Sequence, residues 1–256
     1  MRAESLIVIP CYNEENRISR TLFVSLLNNL DSDILLVNDG STDQTQEILS
    51  EIANTSSRFS VVNLPQNIGK SEAIRFGFAH AYSTGYKFVG TMDADAAVGS
   101  ADMANALDLI SDNNDLDVVI GARVMLAGSE VERKTSRRWI GRIIATWLSL
   151  SLKVVFYDPQ SPCKIFRCSK LKESLDHPFK TRWFGEVELL TRMMTGNNSQ
   201  QIRLKEFPIL SWNDVDGSHF NLRSISNVVF DLIRVHFVIR DGLKTISSLE
   251  ANAKGN

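Results

Sequence analysis

Two aspartates one residue apart close an apolar run in "VGTMDADAAV", residues 89–98. Asp93 and Asp95 carry like charge where a buried strand is expected to stop, an arrangement that repulsion and desolvation make costly. A cation between them removes that cost. Mg²⁺ or Mn²⁺ suits the position, because both are commonly held by one or two carboxylates together with substrate phosphate oxygens. A pair of solvated turn aspartates is the plain alternative. Lys70 is the second residue placed for chemistry: it follows Gly69 at an expected helix start, where an anion is favoured. An ordinary surface lysine is the alternative there.

The elements that must position these residues are legible from hydrophobic patterning. Continuous Val/Ile/Leu runs predict buried strands at Ser5–Pro10, Asp33–Asp39, Phe59–Pro65, Tyr86–Met92 and Leu116–Ala122. Helical patterns fall between them, at about Glu15–Leu30, Thr42–Ala53, Lys70–Tyr82 and Ser100–Ser111, the second capped by Ser41 or Thr42 with Asp43 in its first turn. This alternation predicts an α/β fold with a mostly parallel sheet and helices on both faces. Ligands of such sheets bind beyond the carboxyl ends of the strands. Those ends read "PCYNEE", "NDGSTD", "NIGKSEA" and "DADAA". Turn preference explains any one of them; four on the same sheet edge predict one shared crevice.

Bulk properties exclude several classes. Lys and Arg number 28 against 30 Asp and Glu, a net charge of −2, which gives no support for nucleic-acid binding. No apolar run reaches the roughly 18 residues of a spanning helix, and the N-terminus is read as carrying no signal peptide. Cys11, Cys163 and Cys168 are few and odd in number, as expected of reduced intracellular thiols. The expected location is cytoplasmic. Residues 1–256 are read as a single domain, with a first half to about residue 122 and a less regular second half from about 123. Basic residues are in surplus from Arg123 to Lys170, around the amphipathic "WIGRIIATWLSLSL", and a last helical pattern runs from Ser224 to about Leu249.

The ordered set "IPCYNEE", "LLVNDGSTDQT", "NIGKSEAIRFGF" and "MDADA" resembles the family-2 glycosyltransferases, whose GT-A fold is a Rossmann-like sheet that binds a nucleotide sugar. The later "DPQSPCKIFR", "RWFGEVELL" and "WNDVDGSH" resemble the branch that includes dolichyl-phosphate glucosyltransferases and other polyprenyl-phosphate hexosyltransferases. The likeness runs from about Leu6 to about Arg234. It implies that the first half binds the nucleotide sugar and the second the acceptor. Pro10, Tyr12 and Glu14 would line the base and ribose pocket, and Val37 and Asp39 would contact the nucleobase, Asp39 accepting its N–H. Asp93 and Asp95, with Ala94 between them in the donor site, would hold Mg²⁺ or Mn²⁺ against the diphosphate. Lys70, Arg123 and Arg137 would face donor or acceptor phosphates, a task that suits the planar guanidinium fork. A solvated basic helix face is the other reading of those arginines.

Three positions depart from the family pattern. Asn38 stands where many relatives have an aspartate, Ala97 where the mannosyl branch has a glutamine, and His219 where a lysine is usual. The implied reaction is an inverting, metal-dependent hexosyl transfer, with glucose from UDP-glucose favoured and a polyprenyl phosphate as acceptor. The alternative acceptor is a sugar hydroxyl, which would need a positioned base. Asp158 and Glu186 are the candidate catalytic acids, and each could instead be a structural partner of a nearby cation. A lipid acceptor implies peripheral membrane contact, through the segment bearing Trp139 and Trp147 or through the last helix; core packing is the plain reading of both. A catalytically silent nucleotide-binding module and a nucleotidyltransferase are the rival classes. The intact Asp93–Asp95 pair speaks against the first. The lack of a glycine-rich, lysine-bearing loop after the first strand speaks against the second.

Overall fold

The computed structural model describes residues 3–18, 20–95, 97–127, 130–132, 135–196, 202–213 and 229–244. Its strands are β1 (Ser5–Cys11), β2 (Asp33–Asn38), β3 (Phe59–Asn63), β4 (Phe88–Thr91), β5 (Val118–Ala122), β6 (Glu130–Glu132), β7 (Lys164–Arg167), β8 (Leu204–Pro208) and β9 (Ser211–Asn213). The helices are α1 (Arg20–Asn29), α2 (Thr45–Ala53), α3 (Lys70–Ser83), α4 (Ser100–Ser111), α5 (Thr135–Leu152), α6 (Lys172–Leu175) and α7 (Gly185–Thr195), and the stretch 229–244 is helical. Seven strands form one sheet in the order β3-β2-β1-β4-β7-β5-β8, parallel except for β7; β6 and β9 form a separate parallel pair. Among the described residues no helix is long and apolar enough to cross a membrane.

Alternation along each strand divides the core in two. Ile7 and Ile9 of β1 and Ile34 and Leu36 of β2 pack with Phe23, Leu49 and Met103 of α1, α2 and α4. Leu6, Val8, Leu35 and Val37 face the other way, onto Ile74 and Phe78 of α3 and, further along the sheet, Leu148, Leu190 and Val235. Both faces of the sheet are therefore covered, which is why its strands read as unbroken apolar runs.

The five expected strands and four expected helices all form; β1, β2, β3, α3 and α4 start where expected, and β4, β5, α1 and α2 start later. α1 begins at Arg20 rather than Glu15, because Arg17 and Ile18 both donate to the Glu14 carbonyl in a separate turn. α2 begins at Thr45, not Thr42, and neither Ser41 nor Thr42 caps it. Ser41 Oγ accepts from the Asn13 N–H, the Thr42 N–H goes to Asn13 Oδ1, and Asp43 Oδ1 takes the Thr45 N–H instead. Periodicity gave no sign of β7. It is four residues long, yet it sits antiparallel between β4 and β5 and joins the second half of the chain to the first half's sheet.

Candidate active site

The sheet order reverses at β1. From β1 the chain builds outward through β2 to β3, then returns to place β4 on the other side of β1. The crevice at such a reversal lies at the carboxyl ends of β1 and β4, and Tyr12–Arg17 and Asp93–Asp95 follow those two ends. Four strand-end loops are stitched together here. The Glu14 N–H donates to Thr45 Oγ1 at 2.8 Å, and Asn13, held in the left-handed region at φ 53°, donates its N–H to Ser41 Oγ and accepts the Thr42 N–H at Oδ1. Asp39 accepts from the N–H groups of Ile68 and Gly69 at 2.8 and 2.9 Å and from Asn67 Nδ2 at 2.9 Å. Lys70 forms an ion pair with Asp93, and the Arg17 guanidinium donates to Asp95 at 2.7 Å while lying 3.3 Å from Glu14. The four strand ends thus meet in one ring of contacts.

Charge at the ring is unevenly matched. Burial pushes the Asp93 carboxyl up, but the Lys70 ammonium, with Arg123 and Lys164 further off, more than offsets this and holds it below the usual carboxylate range. Asp95 lies above that range through burial and the repulsion of Asp93. Glu14 is pushed to about 7 by burial, only partly opposed by Arg17, with Asp95 and Asp93 adding. The folded, cation-free chain therefore binds a proton at Glu14 between its ordinary value of 4.5 and about 7 that the unfolded chain does not. The stability this contributes is full below the lower value and is lost as pH rises through the upper one. In EDTA, Tm is expected to fall as pH is raised across that window, and to fall less steeply in Glu14→Gln; equal slopes in scanning fluorimetry would contradict this.

The next two strand ends carry two more ion pairs. Arg123, just past β5, makes a two-pronged contact with Asp158 through Nε at 2.6 Å and Nη2 at 2.8 Å, and its guanidinium lies over the Trp212 ring. Glu206 of β8 accepts the N–H groups of Tyr157 and Asp158, which fixes the Asp158 turn. Lys164 of β7 is only 1% exposed and pairs with Glu186 at 3.3 Å while donating to the Ser161 carbonyl. Glu186 is brought there by Gly185: a Cβ at Gly185 would stand 2.6 Å from Ser71 Cβ, so α7 starts in contact with α3; burial lowers the Lys70 pKa, and Asp93 and then Glu186 more than offset it. Asp231 of the last helix accepts from the Arg182 and Trp183 N–H groups, and Arg182 donates to Asn67 Oδ1, tying that helix to the loop that binds Asp39.

The expected residues are placed as follows. Glu14, Lys70, Asp93 and Asp95 share the ring, and half-exposed Tyr12 and partly buried Pro10 precede it on β1 and its loop. Val37 and Ala94 have their side chains in the core, so neither offers a side chain to the crevice. Arg123 is bound to Asp158, so two residues expected to act separately form one unit. Arg137 is in α5, with its side chain outside the described residues, as is all of His219. Arg17 and Lys164 were not singled out from sequence. Arg17 lies three residues after Glu14, a spacing that lets side chains meet within a turn, and was the more findable of the two. Lys164 was counted with a surplus read mostly as a solvated helix face; it is instead a buried strand residue.

Residues 6–175 match the profile of glycosyl transferase family 2. The chain belongs to that family. A dolichyl-phosphate beta-glucosyltransferase of Trichomonas vaginalis is 27% identical to this family-2 enzyme over 255 residues, covering 93% of this chain and 75% of the relative. The dolichyl-phosphate beta-glucosyltransferase of Saccharomyces cerevisiae is 29% identical over 237 residues, 84% of this chain and 69% of the relative. In fold, the enzyme resembles glucosyl-3-phosphoglycerate synthase from Mycobacterium tuberculosis, solved with Mn²⁺, UDP and glucosyl-3-phosphoglycerate. The TM-score is 0.60 at 17% identity, over 96% of this chain and 79% of that one. The fold is GT-A, and this family-2 member is a nucleotide-sugar-dependent glycosyltransferase.

A divalent cation fits the donor set. Asp93 and Asp95 are two carboxylates at one strand end, and Asp95 stays crowded by Asp93. Among the described residues no group of three or more His, Cys, Asp or Glu is arranged to enclose an ion. Two carboxylates that leave positions for substrate oxygens suit Mg²⁺ or Mn²⁺, whereas a closed protein cage would suit Ca²⁺.

Proposed function

We propose that this enzyme transfers glucose from UDP-glucose to a polyprenyl phosphate, with Mg²⁺ or Mn²⁺ held by Asp93 and Asp95. The observation that carries the acceptor assignment is the pairing of both candidate bases. Asp158 is taken by Arg123 and Glu186 by Lys164. A sugar hydroxyl needs a carboxylate ready to receive its proton. A phosphate monoester brings an oxygen already ionised near neutrality, so these acids serve better in holding the cations around it. The relatives named as dolichyl-phosphate beta-glucosyltransferases support the same acceptor class.

When bound, the cation would offset charge growing on the diphosphate as the sugar departs. The chain's own residues do the rest. Tyr12 and Pro10 border the nucleoside side of the crevice, and Asp39, already accepting three N–H groups, fixes the 67–69 loop and retains lone pairs for a base N–H. Lys70 stands at the start of α3 beside the diphosphate position, and Arg123 and Arg137 serve phosphate on the acceptor side. In this reading the donor is held by the part of the chain up to about residue 122 and the acceptor by the remainder.

Acceptor delivery calls for contact with a membrane, here its cytoplasmic face. Trp139, Ile143 and Leu150 of α5 are 66%, 67% and 77% exposed and recur at spacings of four and seven, one face of a helix. Phe230, Ile233 and Phe237 form a second exposed stripe on the last helix, which touches α5 through Trp147 and His236. Arg138, Lys153, Arg234 and Arg240 border these apolar faces, a combination suited to an anionic bilayer. Two measurements test the reading. Label from UDP-[¹⁴C]glucose should pass into the organic phase with polyprenyl phosphate present and not with free sugars; label transferred to a sugar instead would contradict it. The protein should float with phosphatidylglycerol vesicles, and Trp139→Glu with Ile143→Glu should remain in the soluble fraction; equal flotation would contradict the docking face.

A further inference from the structure

Arg17 has no role in the donor, acceptor or catalytic assignments above, yet it is joined directly to the proposed cation position. Its guanidinium donates to Asp95 at 2.7 Å and lies 3.3 Å from Glu14, bridging the loops after β4 and β1. The clamp is incomplete. Arg17 Nε is buried without a hydrogen-bond partner, which leaves one donor of the guanidinium unused. Lys70 neutralises Asp93 on the other side. Each proposed cation ligand is therefore already occupied by a side-chain cation.

We propose that Arg17 is an exchangeable counter-ion: a divalent cation takes Asp95 from it, and the nucleoside diphosphate receives the guanidinium charge that is released. The inference rests on the reading of Asp93 and Asp95 as cation ligands. Asp93 and Asp95 set against Arg17 and Lys70 leave no net charge. A divalent cation entering alone adds two positive charges among cationic neighbours, with Arg123 and Lys164 close enough to act on Asp93. A nucleotide sugar's two negative charges offset them. Cation and donor thus favour each other's binding, and Arg17 carries part of that coupling beyond the cation's own attraction for the diphosphate. By reciprocity, nucleotide tightens the cation by the same factor that the cation tightens nucleotide. Arg17 suits this role because guanidinium keeps its charge at any working pH and pairs equally well with carboxylate and phosphate.

Mn²⁺ binding to the full chain, followed by the electron paramagnetic resonance of free Mn²⁺ with and without UDP, tests the proposal in wild type, Arg17→Gln and Arg17→Lys. In Arg17→Gln, Mn²⁺ alone is expected to bind about tenfold tighter, and the tightening produced by UDP to shrink by a similar factor; Arg17→Lys should stay near wild type. Unchanged or weaker Mn²⁺ binding in Arg17→Gln, with undiminished coupling to UDP, would overturn the role of Arg17 alone. No binding of Mn²⁺ to wild type even with UDP would overturn the cation site and this inference with it. Should Arg17→Gln not fold, the Arg17 Nε–Hε resonance of the wild type, assigned with Arg17→Lys, provides the second measurement. It is expected to shift when Mg²⁺ and UDP are added together, and a resonance that does not move overturns the exchange.

Discussion

Replacing Asp95 by asparagine is expected to lower the transfer rate at saturating donor by about 10²–10³-fold, the range typical when one oriented electrostatic group is lost from an active site, while the protein stays folded. The two effects separate for a physical reason. Asp95 lies above the usual carboxylate range because burial and Asp93 disfavour its charge. Neutralising it relieves that repulsion and leaves Arg17 its contact with Glu14. The cation loses a charged ligand and binds more weakly, so added Mn²⁺ should restore part of the activity. Transfer assays alongside thermal melts check both parts. Activity within a few-fold of wild type would mean that the carboxylate does not serve the reaction, and a large drop in Tm would mean that it serves the fold.

Lys164→Met is expected to give the largest loss of stability, about 3–5 kcal/mol, the cost of breaking a buried ion pair by removing one partner. Lys164 is 1% exposed in a strand between β4 and β5, and Glu186 is 8% exposed against it. Methionine fills the volume but leaves the Glu186 carboxylate buried without its cation. For a chain of this size the loss corresponds to a fall in Tm of roughly 6–20 °C. Adding Glu186→Leu should recover much of it, because an apolar pair of similar size avoids desolvating two charges. Denaturant midpoints of wild type, single and double variants check this. A single variant as stable as wild type would show the pair to be dispensable, and a double variant no better than the single would show the loss to come from packing.

The first half was legible because its rules are local. Unbroken Val/Ile/Leu runs located β1 to β5, and the polar sequences at their ends located Glu14, Asp39, Lys70, Asp93 and Asp95, which the parallel topology brings to one edge. Helix starts were displaced because side chains of neighbouring loops, Asn13 with Ser41 and Thr42 and Glu14 with Thr45, use hydrogen bonds that a cap would have made. Val37 was placed at the nucleobase by the family resemblance alone, and strand alternation turns its side chain to the core. The second half was harder because its order is set by long-range pairing. β7 carries Lys164 and Arg167 at its ends and has no periodicity of its own; it is a strand because β4 and β5 have open edges on either side of it. The pairing of Arg123 with Asp158, 35 residues apart, follows no spacing rule.

Crystals of the chain grown with UDP-glucose and Mn²⁺, with data collected at the manganese absorption edge, probe the carboxylate pair most directly. One anomalous peak is expected in contact with Asp95 or Asp93 and the donor diphosphate, with Arg17 turned from Asp95. Ordered donor with no peak at those two side chains, or a peak bound elsewhere, would remove the cation from this site.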